Sequence, residues 1–162
     1  MVDVQTVSIA IASASVVAGV VYYALQIRHQ TRVRQTDLVV RLYSLWTGGD
    51  FLEAMLKVAN LDYEDYTDFL RKYGPLSSET PVNIAFFKVA NYFDELGILL
   101  HKGLIDADMV SEFLMPSTLI TWNKMKPAIE GFRKDTGRAF YHWFEYFYDE
   151  TKKREPEPQS EA

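Results

Sequence analysis

The chain has 162 residues, 24 % of them charged, a formal net charge of −5 and no cysteine. That length, less a long apolar N-terminal run, suits one domain rather than two, and the missing thiols exclude disulfides, thiolate nucleophiles and Cys-ligated metals. Residues 48–162 hold 13 basic and 20 acidic side chains, a net of −7, so nucleic acid, which needs a basic patch, is not an expected partner.

The first predicted element is the run Val4 to Ile27, VQTVSIAIASASVVAGVVYYALQI, which contains no charged residue. Its 24 residues would span about 36 Å as a helix, enough to cross a hydrocarbon core of about 30 Å with some tilt. Tyr22 and Tyr23 stand near one end, as interfacial aromatics do. A cleaved signal peptide is the weaker reading, because the only charge before the run is Asp3 and the run is too long. A core helix of a soluble protein is the other alternative, since Ala, Ser and Gln dilute the run.

Orientation follows from the flanks. No Lys or Arg precedes the run, whereas Arg28, Arg32, Arg34 and Arg41 follow it. The excess of cations on that side predicts the N-terminus outside and the C-terminal domain in the cytoplasm of a single-pass cell-membrane protein. Arg28, Arg32 and Arg34 are candidates for anionic lipid headgroups, at about 1 kcal/mol each near the surface; the plainer reading is that they set topology alone. Within the run, Ser8, Ala12, Ser15 and Gly19 form one stripe of small side chains, a device for close helix packing in lipid.

Downstream the periodicity is helical almost throughout. From Arg28 to Trp46 there is no Gly or Pro, so the spanning helix is expected to continue until Thr47-Gly48-Gly49 ends it. Asp50 then looks like the cap of a helix to about Asn60, with Phe51, Met55, Leu56 and Ala59 on one stripe. A short helix at Glu64 to Tyr73 closes at Gly74-Pro75. Thr80-Pro81 supplies a cap and a first helical proline for a helix to Lys102. Asp106 caps the next, to Leu114, which Pro116 is expected to break. Ser117 to Lys134 follows with Pro127 kinking or dividing it. Gly137 precedes a last helix from Arg138 to about Lys153, and the tail REPEPQSEA reads as disordered. The expected organisation is an anchor over 1–27, a juxtamembrane extension over 28–47, a cytosolic helical bundle over 48–153 and a tail over 154–162. The fold class is all-α.

Two helices invite a functional reading. Pro81–Lys102 is apolar on more than one side, the mark of a central bundle helix. The last helix carries rings over well over half its circumference, from Phe140 to Tyr148. One bundle face cannot cover that many, so at least one of Tyr141, Trp143 and Tyr148 is expected to be accessible for partner contact. Enzymatic patterns are absent. There is no Glu-x-x-His pair for a carboxylate-bridged metal site, and no P-loop or dinucleotide fingerprint; no cofactor is expected.

The order of span, basic flank and helical domain, with Asn91-Tyr92-Phe93-Asp94-Glu95-Leu96-Gly97, Gly103-Leu104-Ile105-Asp106, Trp122, Pro127 and Arg133, resembles a group of small prokaryotic proteins. These pair one N-terminal transmembrane helix with a cytosolic helical domain. The resemblance covers most of residues 1–150 and implies topology without catalytic residues. The sequence thus leads to a membrane-anchored, non-enzymatic interaction or regulatory module that self-associates or meets another membrane protein. An accessory subunit of a larger membrane complex is the alternative, and a membrane-tethered enzyme the third reading.

Overall fold

The computed structural model describes residues 3–155, without the side chains of Thr6, Val7 and Ala10. Most of the tail expected to be disordered therefore lies outside the described residues. Six helices follow one another: α1 Val4–Trp46, α2 Gly49–Ala59, α3 Tyr66–Tyr73, α4 Pro81–His101, α5 Ala107–Thr136 and α6 His142–Lys152. No strand occurs among the described residues. The chain divides into two compact units, Met1–Leu38 and Val39–Ala162.

In the first unit every described side chain up to Arg34 is exposed. α1 is long and apolar enough to cross a membrane by length and composition, and none of its apolar window is buried inside the protein. That separates it from a core helix of this chain.

The second unit begins with the last two turns of α1. Val39 is buried, the Tyr92 hydroxyl donates to the Leu42 carbonyl at 2.9 Å, and the Trp46 ring meets Phe51, Tyr92 and Phe93. α4 is the central helix, packed between α2 and α6, while α5 closes on α6, α3 and α2. Nine of its residues are buried, which is why its wheel is apolar on more than one side.

Most helix ends obey local chemistry. The Asp65 carboxylate accepts from Asp68 N–H to start α3. The Thr80 hydroxyl caps α4 through Asn83 N–H ahead of Pro81, and Asp106 caps α5 through Asp108 and Met109. Gly137 ends α5 at φ 65°, the left-handed backbone that costs glycine least.

Four expectations are corrected. α2 starts at Gly49 with Gly48 as an N-cap lacking any side-chain bond, so Asp50 lies in the first turn, where its charge still suits the helix dipole. The buried stripe of α2 is Phe51, Ala54 and Val58, whereas Leu56 and Ala59 are exposed. Pro116 does not break its helix: α5 runs unbroken through Pro116 and Pro127. The carbonyls that lose a donor belong to Glu112 and Asn123, both exposed residues, so water can take the place of the missing N–H. Finally, α6 starts at His142 rather than Arg138, for a reason set by α4.

Candidate interaction surface

α6 has no cap from its own neighbourhood. Tyr141, at its N-cap, sits at φ 58° and makes no side-chain cap bond. The carboxylate of Asp94 on α4 takes that role: Trp143 N–H and Phe144 N–H both donate to its Oδ1 at 3.0 Å. An anion over the first turn satisfies two otherwise unpaired donors and meets the positive end of the helix dipole. Gly97, one turn further along α4, lets the two backbones touch. A Cβ there would lie 2.0 Å from the Trp143 carbonyl oxygen. The Phe93 and Phe144 rings stack beside this contact, with centroids 4.6 Å apart and planes 8° apart.

This arrangement disposes of the ring surplus on the last helix. α6 packs on both α4 and α5, so two helices cover its rings, not one bundle face. Phe144 and Phe147 are core. Phe140 falls outside the helix and packs on Phe132 at 4.9 Å; the Arg133 Nε–H donates to its carbonyl at 2.7 Å, while Arg133 Nη1 meets Glu145 at 2.7 Å. Tyr141, expected at a partner surface, is 7 % exposed and belongs to the core; burial pushes its hydroxyl above the usual phenol range. Trp143 and Tyr148 are half-buried. The Trp143 ring lies between His101 at 4.6 Å and His142 at 4.5 Å. Tyr148 leans on Trp122 at 5.8 Å, with the Lys152 ammonium over its ring. The last helix is largely an internal wall, with Trp143, Tyr146 and Tyr148 half-buried at its outer edge and His142 exposed.

Ser8, Ala12, Ser15 and Gly19 are exposed; the Ser8 and Ser15 hydroxyls donate to the carbonyls four residues back at 2.9 Å. A Cβ on Gly19 would meet nothing within 4 Å. Arg28, Arg32 and Arg34 are likewise exposed.

The surface that sequence reasoning missed lies between α2 and α5. Met55, Val58 and Ala59 on α2 face Ser117, Ile120, Thr121 and Lys124 on α5 across an open groove of about 660 Å³. Leu52 and Leu56, 52 % and 55 % exposed, carry the α2 side outward, so that 52, 55, 56 and 59 form an i, i+3, i+4, i+7 stripe. On α5, Ile120 is 66 % exposed and Phe113, seven residues earlier on the same face, 53 %. The Phe113 ring rests on Tyr43 at 5.5 Å. α2 is therefore apolar on two sides. The signal was present in the sequence as adjacent stripes at helical spacing, but periodicity does not say which stripe faces the core. At the outer edge of α2, the Lys57 ammonium bonds Glu53 at 2.7 Å, which holds that carboxyl below its usual range.

No curated protein and no solved structure matches this chain. One family, described as a domain of unknown function (DUF4760), matches residues 11–151, which takes in the larger part of α1 and nearly all of the bundle. The chain belongs to that family.

Proposed function

We propose that this protein is a membrane-anchored, non-enzymatic interaction module, single-pass, with its N-terminus outside and its bundle in the cytoplasm, and that it self-associates. The observation that carries the reading is α1: a long apolar helix with none of its apolar window buried among the described residues, followed by exposed Arg28, Arg32 and Arg34. The chemistry of the bundle supports a non-catalytic role. Its shifted carboxyls and cations, Glu53, Asp68, Lys72, Glu150, Lys153 and Arg154, are surface ion pairs; of its raised tyrosines, Tyr63 and Tyr92 donate to backbone carbonyls, Tyr141 is buried in the core and Tyr66 meets Asp135. Groups tuned for catalysis gather in a cleft; these are scattered over the bundle.

Two measurements test the proposal. A reporter fused after Ala162 should behave as cytoplasmic, and periplasmic or extracellular activity there would overturn the orientation. Self-association through the small stripe predicts that Gly19→Ile lowers the yield of crosslinked dimer in membranes, because bulk at that position holds two backbones apart. Val20→Ile, which adds a methylene beside the stripe, should leave the yield unchanged. Equal yields in the two variants would leave the stripe without a role.

A further inference from the structure

The α2–α5 groove has the shape of a site for a helix. Met55 on α2 and Ile120 on α5 line it with long apolar side chains, and Ala59, Ser117 and Thr121 in the same lining are short. Grooves of this kind take an amphipathic helix through anchors at i, i+3, i+4 and i+7. The same face displays such a helix, because α2 presents Leu52, Met55, Leu56 and Ala59 at that spacing. Groove and ridge on one surface are what an isologous two-fold contact requires, each copy giving its ridge to the other's groove.

We propose that the α2–α5 face is a self-association surface, with the Leu52–Leu56 ridge of one copy seated over Ala59, Ser117 and Thr121 of a second copy. Charge permits that occupant. The groove is lined by one cation, Lys124, and no carboxylate, whereas residues 48–162 carry a net of −7. Two acidic bodies repel over most of their surfaces, and the repulsion is least where charge is sparse. Extent favours it. Leu52, Leu56, Phe113, Ile120 and Tyr43 are each 44–66 % exposed. Together these side chains leave apolar area on the order of 500 Å² in water, against about 800 Å² per partner in a standard interface, polar rim included. The inference draws on the proposed membrane anchor only for concentration: copies held in one bilayer meet at high effective concentration, so a modest contact suffices.

The chain has no cysteine, so introduced thiols report their own positions. Leu56→Cys and Ser117→Cys chains, full length and mixed in phosphatidylcholine vesicles, should crosslink between residues 56 and 117 at least fivefold above an Asp149→Cys control on α6. Ile120→Glu should reduce that product about tenfold. Its side chain is two-thirds in water, so the melting temperature, measured alongside, should hardly change. Ser15→Cys chains read contact along the span separately. Loss of the 15–15 product with the 56–117 product intact would count against the small stripe alone. A 56–117 yield no higher than the Asp149→Cys control, or one that Ile120→Glu leaves unchanged, overturns the proposed surface. In native membranes, a Leu56→Cys product with some other protein in place of the 56–117 product overturns it too, and makes the groove a heterologous site.

Discussion

Gly97→Ala is expected to destabilise the bundle strongly. The new Cβ would stand 2.0 Å from the Trp143 carbonyl oxygen and 2.6 Å from its carbon. Both are backbone atoms, which cannot rotate aside as a side-chain tip does, so α4 and α6 must separate. Overpacking by itself costs about 1–3 kcal/mol. Separation also weakens the Asp94 cap on α6, worth about 0.5–2 kcal/mol, and opens the Phe93–Phe144 stack. A loss of about 3–5 kcal/mol is a large part of the roughly 5–15 kcal/mol that holds a domain folded, and it should lower the melting temperature by more than about 10 °C. Gly49→Ala is the control, since a Cβ there meets nothing within 4 Å. Similar melting temperatures for the two variants would mean that the α4–α6 contact is looser than described.

The second large effect is on membrane attachment. Val16 and Val20 are 67 % and 65 % exposed on α1 and lie near the middle of the uncharged run. Arginine near the centre of a spanning helix costs about 2.5–3.5 kcal/mol, so Val16→Arg with Val20→Arg should remove most of the favourable insertion energy. The double variant is expected to leave the carbonate-washed membrane pellet for the soluble or aggregated fraction. Ile84→Arg, at a position 57 % exposed on α4, should remain in the pellet. If the double variant pellets as the unaltered chain does, α1 does not hold the protein in the membrane.

What this sequence determined by itself is the set of helices and most of their ends. Asp65, Thr80 and Asp106 cap from two or three residues ahead of the donors they serve, and Gly74, Gly103 and Gly137 adopt positive φ where helices stop. Such signals act within one turn of the chain, so they can be read without knowing the fold. The apolar α1 is equally local, since length and composition alone make it a candidate span.

Tertiary structure decided the rest, wherever a residue's partner is distant in sequence. The start of α6 depends on Asp94 on another helix, so Arg138–Tyr141, helical by pattern, forms a turn instead. Pro116 is tolerated because the carbonyl it deprives belongs to exposed Glu112, a matter of which side of α5 faces the core. Tyr141 is buried because α6 lies against two helices, and the outward stripe of α2 was separated from its inward one only by where α4 and α5 stand. A sequence displays periods and caps; which of two apolar faces meets water is settled by the neighbours that cover it.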